Sequence, residues 1–305
     1  MFSLLIEILA TFFMVTKEII VAICFVFVPP PEKSVDGEIV LVTGAGSGIG
    51  QLMCLEFAKR GAIIVAWDIN NEGNQTTASL VRENNGIIYT YTCDVSDNIE
   101  VHRTANQVKK DVGDVTILIN NAGIVTGKPF LQCSENELLK TMAVNVYSHF
   151  WTLKNFLPAM VQRNHGHIVT IASLAGLIGA SGLVDYCTSK FANVGFAESL
   201  GLELMKDNKD GIHTTIVCPY LIHTGMFEGF TNRFDMLFPT LSPEYAASRI
   251  VKAVLTNQRL LVMPRTGYLT TAVRVLLPVA AVERLTKFTG GLECMEGFVG
   301  RQKMK

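Results

Sequence analysis

At 305 residues, with 49% hydrophobic and 17% charged side chains, the chain is too apolar to be disordered and too charged for a multi-span channel. Its formal charge is −1, from 26 Lys+Arg against 27 Asp+Glu, with no basic run beyond the tail Arg301-Gln302-Lys303-Met304-Lys305. That excludes the positive footprint of a nucleic-acid-binding protein. The mean hydropathy of +0.32 is high for a soluble enzyme, and much of the excess lies in one place.

Residues 1–31 hold two apolar runs, Ile8 to Thr16 and Ile19 to Val28, separated by Lys17-Glu18 and closed by Pro29-Pro30-Pro31. Neither run reaches the ~20 residues that cross a bilayer as a helix. A span made from both would carry two charges near its middle, so a helical hairpin or an interfacial anchor is the easier solution. No positive segment precedes the run and no small-residue cleavage site follows it, which disfavours a removed signal peptide. The segment is predicted to anchor the chain to a membrane; a helix packed on the protein's own core is the competing reading. Seven scattered cysteines without Cys-x-x-Cys predict neither a zinc site nor a disulfide framework, and favour a reducing compartment. Asn74-Gln75-Thr76 is the one N-x-[ST] sequon, which a luminal domain would expose to glycosylation.

From residue 36 to 305 the texture changes to short β-rich runs alternating with helical patterns, the signature of a parallel sheet with crossover helices. Strands are predicted at 39–43, 63–67, 87–92, 116–119, 167–172, 213–217 and 260–263, with helices at 49–60, 99–111, 134–143 and 186–205 among the connections. Runs such as Ile39-Val40-Leu41-Val42 are continuously apolar, as strands buried on both faces require. The expected fold class is α/β, a doubly wound parallel sheet of Rossmann type in one domain.

The first strand runs into Thr43-Gly44-Ala45-Gly46-Ser47-Gly48-Ile49-Gly50 and then a helix. Glycines there let backbone approach a pyrophosphate, with the helix N-terminus behind supplying N–H groups and positive charge. Asp68 ends the second strand, where a carboxylate accepts both hydroxyls of an adenosine ribose and repels a 2′-phosphate. No Arg or Lys stands in the loop or just after Asp68, so NAD is favoured over NADP. The plainer alternative is that Asp68 caps the following helix. Further on come Cys93-Asp94-Val95, Asn120-Asn121-Ala122-Gly123, Asn145, Ser173 and Tyr186-Cys187-Thr188-Ser189-Lys190.

With these motifs in order across residues 38–265, the chain resembles a classical short-chain dehydrogenase/reductase. Tyr-x-x-x-Lys alone recurs by chance; four motifs in register do not. The resemblance implies Tyr186 as general base, Lys190, Ser173 and Asn145 as its catalytic partners, and hydride transfer to NAD. Lys190 lies one helical turn from Tyr186 on the same face. An ammonium there, with the positive nicotinamide ring, lowers a phenol from its ordinary value near 10. By the same resemblance Ser173 binds the substrate oxygen, Asn145 holds a relay water, and Asp94 meets the adenine. Thr43, Gly44, Ser47, Gly48, Ile49, Gly50, Asn121 and Gly123 line the cofactor cleft, and Thr224 meets the carboxamide. One departure stands out: the family's Pro-Gly pair reads Pro219-Tyr220, which puts the loop geometry in doubt. His165 and His167 are expected to be structural.

After Thr224, Met226-Phe227-Glu228-Gly229-Phe230 and Phe234–Pro239 predict an apolar lid over a lipophilic substrate. A further apolar stretch near 266–284 is either interfacial or an ordinary packed helix. Segments such as Trp67-Asp68-Ile69-Asn70 and Thr224-Gly225-Met226-Phe227-Glu228-Gly229 resemble the membrane-bound retinol dehydrogenase branch. That branch implies oxidation of all-trans-retinol with NAD on the endoplasmic reticulum or lipid droplets, by a cytosolic domain that dimerises through the Tyr186 helix and its neighbour. A 17β-hydroxysteroid dehydrogenase is the alternative enzyme, and a lipid-droplet or membrane scaffold with a vestigial site the non-enzyme alternative. Ser173, Tyr186, Lys190 and Asn145 are all retained, against the scaffold.

Overall fold

Residues 2–28 and 30–300 are described by a computed structural model, in which Met1–Lys33 and Ser34–Lys305 form separate units; the basic tail 301–305 lies outside the described residues. In the first unit, α1 runs unbroken from Phe2 to Phe27. Of the two readings, hairpin or interfacial anchor, the hairpin is not formed: no Gly or Pro interrupts these 26 residues, Lys and Glu are good helix formers, and the helix runs on to Phe27. Ser3–Phe25 is long and apolar enough to cross a membrane, at 23 residues or about 35 Å against ~30 Å of hydrocarbon. Its apolar side chains are exposed, Phe12 by 71% and Phe13 by 72%, rather than packed as core. The Lys17 stem is long enough to carry its ammonium toward an interface.

The second unit alternates β1 (Ile39–Thr43), α2 (Gly48–Ala58), β2 (Ile63–Asp68), α3 (Asn71–Glu83), β3 (Ile87–Thr92), α4 (Asn98–Asp111) and β4 (Ile117–Asn120). There follow α5 (Glu135–Met142), α6 (Ser148–Arg163), β5 (Gly166–Ile171), α7 (Val184–Lys206), β6 (Ile212–Pro219), α8 (Pro243–Leu255), β7 (Leu260–Met263), α9 (Thr266–Leu276) and α10 (Val279–Phe288). The strands form one sheet in the order β3-β2-β1-β4-β5-β6-β7, every pair parallel. All seven predicted strands are found, with ends moved by a residue or two.

Two apolar layers hold the sheet between its helices. Phe57, Ile64, Ile119 and Ile250 lie in one, on the side of α2 and α8. Trp67, Leu118, Phe156 and Ile168 lie in the other, on the side of α4 and α6. Burial on both faces explains the unbroken apolar strands. Because β2 and β3 extend the sheet one way from β1, and β4 to β7 the other, the chain reverses between β1 and β4. A crevice opens there at the carboxyl ends of the strands.

His165 Nε2 lies 2.9 Å from Glu38, and His167 Nε2 lies 2.8 Å from Thr215 Oγ1, both inside the scaffold. The apolar stretch near 266–284 is two helices broken at Pro278, exposing Val275 and Leu276 by 79% each. Arg274 anchors α9 through the Leu177 carbonyl and the face of the Phe191 ring, 5.0 Å away.

Candidate active site at the sheet switch point

The glycine loop folds as its composition demands. Gly44 and Gly48 have φ of +66° and +57°, where a side chain is strained. A Cβ on Gly50 would meet the Gly44 carbonyl oxygen at 2.0 Å, so the helix start and the loop lie backbone against backbone. Ser47 is the N-cap of α2, and the first-turn N–H groups at Gly48, Ile49 and Gly50 face the crevice end without helical acceptors.

Asp68 braces this loop: its Oδ2 accepts from Gly46 N at 2.8 Å and its Oδ1 from Asn70 N at 2.8 Å. The cap of α3 is Asn70, not Asp68, since Asn70 Oδ1 accepts from Gly73 N. The carboxylate is thus positioned at the loop, with lone pairs left on both oxygens. Asn121 ties the two halves of the crevice together, its Nδ2 donating to the carbonyls of Thr43 (2.8 Å) and Gly44 (3.2 Å). Thr43 Oγ1 accepts from the amides of Asn121 and Ala122. Asp94 accepts from Ser96 and lies 3.0 Å from Lys140 Nζ. Burial pushes its carboxyl up, but the Ser96 hydrogen bonds and the Lys140 charge outweigh this and hold it below the usual range.

The sequon reading fails on burial. Asn74 is 0% exposed and its Nδ2 donates to the carbonyls of Ala66 (3.0 Å) and Tyr91 (3.2 Å), so the nitrogen that would carry a glycan is inside the folded domain.

Ser173, just past the end of β5, meets Tyr186 and Lys190 of the first turns of α7. All three are buried, Tyr186 to 5% and Lys190 to 4% exposure. Lys190 Nζ donates to the Ile171 carbonyl at 2.9 Å and sits 5.5 Å from the centre of the Tyr186 ring. A Cβ on Gly123 would come within 3.6 Å of that Nζ, which brings the loop after β4 against the lysine. Ser173 Oγ donates to the Pro219 carbonyl at 3.4 Å and accepts from Ala175 N at 3.1 Å. Asn145 lies in a π-turn, Ala143–Tyr147, of the kind that recurs at functional sites. Its side chain closes a reciprocal pair with the Ile124 backbone, at 2.8 and 2.9 Å, and donates to Ser189 Oγ at 3.0 Å.

The electrostatics differ from expectation in one respect. Burial pushes the Tyr186 phenol above its ordinary value, and the Ser173 hydroxyl is what pulls it down; the ammonium does not reverse the shift. Burial instead lowers Lys190 to about 8. The protein's own groups thus hold a neutral phenol beside an ammonium that titrates near neutrality, and further positive charge is needed to make a phenolate.

Tyr220 does not strain its loop. It is absent from the residues of positive φ, its N–H donates to the Met263 carbonyl at 2.7 Å, and its ring packs against Phe230 (6.0 Å) and Phe238 (5.5 Å). The lid is pinned at its base by the Ile222–Leu241 bridge, while Thr224 is half-buried just beyond it. Two features escaped the sequence reading. His149 is buried with its ring edge-on to Phe196, 6.2 Å away, and burial, then the Lys190 charge, lowers its pKa to about 3. The C-terminal residues Cys294 and Met295 belong to the same buried apolar cluster as Tyr186. Neither has a motif; both arise from contacts distant in sequence.

Residues 38–233 match the sequence profile of the short chain dehydrogenase family. The chain is 50% identical over 283 residues to epidermal retinol dehydrogenase 2 of Homo sapiens, covering 92% of each, and equally to that of Mus musculus. It is 43% identical to retinol dehydrogenase 10 of Rattus norvegicus over 328 aligned positions, 97% of this chain and 96% of that one. Among solved structures it is similar to a short-chain dehydrogenase/reductase from Burkholderia phymatum in complex with NAD: TM-score 0.73, 23% identity, 85% of this chain and 98% of that one. A short-chain type dehydrogenase/reductase from Mycobacterium marinum matches with TM-score 0.68 at 25% identity, over 75% and 94%.

Proposed function

This chain belongs to the short-chain dehydrogenase family and is an oxidoreductase; from that premise we propose that it oxidises all-trans-retinol to retinaldehyde with NAD. The observation that supports this most is the convergence of Tyr186, Lys190 and Ser173 beside the glycine loop at the switch point. The retinol dehydrogenases it resembles support the substrate. The cofactor site suits NAD: glycines with no room for a Cβ admit a pyrophosphate to the α2 N-terminus, and the Asp68 carboxylate suits a ribose diol and disfavours a 2′-phosphate.

NAD, when bound, would supply the hydride acceptor and a cationic ring. Gly44, Ser47, Gly48, Ile49 and Gly50 would hold its phosphates, Asp68 and Asp94 the adenosine end, and Asn121, Gly123, Lys190 and Thr224 the nicotinamide end. Ser173 Oγ donates to the alcohol oxygen, and the Tyr186 Oη takes its proton. Lys190 Nζ stabilises the phenolate by charge and would donate to the ribose of the bound cofactor. The Asn145 side chain is committed to Ile124 and Ser189, so a relay water at this residue would sit on its backbone carbonyl, where the π-turn interrupts the helical ladder.

A panel of retinol and a 17β-hydroxysteroid, each with NAD and NADP on the same membranes, tests substrate and cofactor together. Retinol with NAD is expected to give the highest kcat/KM. A steroid preference would replace the substrate, and an NADP preference would refute the role of Asp68.

The same proposal has α1 hold the domain on the cytosolic face of the endoplasmic reticulum or of lipid droplets. Dimerisation would use α6 and α7, supported by exposed Phe150 and Leu202. Because Asn74 is buried, topology needs another reporter. Asp210→Thr places a new N-x-[ST] sequon on Asn208, at the exposed end of α7. The variant is expected to run without a glycosidase-sensitive mobility shift; a shifted band would put the domain in the lumen.

A further inference from the structure

The chain's own C-terminal residues lie across the mouth of the site. Three loops that surround Tyr186 each place a glycine of positive φ where this segment passes. A Cβ on Gly127 (φ +66°) would meet the Phe298 ring at 2.1 Å. One on Gly182 (φ +74°) would meet Met295 Cβ at 2.9 Å, and one on Gly229 (φ +83°) the Gly297 carbonyl oxygen at 1.8 Å. Glycine serves close backbone approach, and three such approaches to one short segment mark a built contact.

The segment is also tied to the lid at two points. Thr231 N donates to the Cys294 carbonyl at 2.9 Å, and Val299 N to the Glu228 carbonyl at 2.8 Å. Between these ties Phe227 bridges the two ends of an aromatic wall. It stands edge-on to Tyr186, 5.5 Å away, and to Phe298, 6.3 Å away. On the lid side of Phe227 an opening of about 190 Å³ is lined by Ile222, His223, Glu228 and Phe230, apart from Tyr186 and Phe298.

We propose that residues 293–300 form the outer wall of the alcohol site, and that Phe298, seated against Gly127, sets the width of alcohol that reaches Tyr186. A slim, flexible apolar alcohol passes between the rings, while a rigid fused-ring alcohol meets the edge of Phe298. This rests on the reading of Tyr186 as the reacting centre but not on retinol as substrate.

The test compares kcat/KM for a long-chain primary alcohol, or retinol, with that for a 17β-hydroxysteroid in full-length membrane-bound protein. Phe298→Ala is expected to move the ratio at least tenfold toward the steroid. Phe298→Tyr should retain the wild-type ratio. Both substrates falling equally would overturn the proposal, since lost packing alone lowers them together.

Hydrogen exchange supplies a readout free of turnover: a bound alcohol with reduced cofactor should slow exchange at the Val299 amide in wild type and not in Phe298→Ala. Unchanged exchange in wild type overturns the wall. Absence of retinol turnover in wild type would instead sink only the substrate reading, because the ratio and the exchange are measurable with the other alcohols.

Discussion

Replacing Tyr186 with phenylalanine is expected to lower kcat/KM for retinol oxidation by about 10³-fold or more, the contribution of a positioned general base. Folding and cofactor affinity should stay within experimental error. The substitution removes one oxygen and leaves the ring in its contacts with Leu183, Cys187 and Phe227. Burial holds the phenol above its ordinary value and so neutral near pH 7, and the substitution removes no charge from the fold. Steady-state kinetics beside cofactor fluorescence titration checks both halves. Turnover retained within tenfold would remove Tyr186 from the chemistry, and a matching loss of cofactor binding would recast it as a binding residue.

Lys190→Met is expected to abolish turnover and to stabilise the domain at the same time. The ammonium is buried, and its pKa falls from an ordinary 10.4 or so to about 8. Between those values the unfolded chain binds the proton and the folded chain does not, so this residue makes stability rise with pH across that window. Below it, the buried charge costs the fold the full difference, about 3 kcal/mol. Losing the donor to the Ile171 carbonyl takes back about 1–2 kcal/mol. The net gain near pH 7 is on the order of 1–2 kcal/mol, seen as a Tm raised by a few degrees. The variant should also lack the wild type's extra stabilisation between pH 8 and 10.

The same titration predicts that retinaldehyde reduction, which needs both the neutral phenol and the ammonium, is level at lower pH and declines as pH rises through about 8. A decline that Lys190→Arg leaves in place would assign the limb to another group.

The motif residues were legible because their geometry is local. Tyr186 and Lys190 are one turn apart on any helix, and a glycine loop between a strand and a helix has few ways to fold. The parallel sheet was legible for a related reason: strands covered on both faces leave continuous apolar runs. Local rules also misled. Lys17-Glu18 reads as a break by hydropathy, although nothing in the backbone chemistry of α1 breaks there. Asn74-Gln75-Thr76 matches a sequon pattern, yet its amide is spent on the edge of the sheet. Pro219-Tyr220 reads as a defect against the family pattern, and in the fold Tyr220 is a support for the lid.

The sequence by itself determined the α/β class, the seven strands, the glycine loop and the Ser173, Tyr186 and Lys190 set, because each is encoded in spacings of a few residues or in the period of burial. Only the tertiary structure decided that Asp68 braces the loop at Gly46, that Asn145 is committed to Ile124, that His149 packs on Phe196, and that Phe298 closes over Gly127. Those are contacts between residues remote along the chain, and their partners meet only when the helices have packed on both faces of the sheet. The protonation of the site has the same origin: the order of Tyr186 and Lys190 in sequence is fixed, but how far each shifts depends on how completely the folded protein excludes water from them.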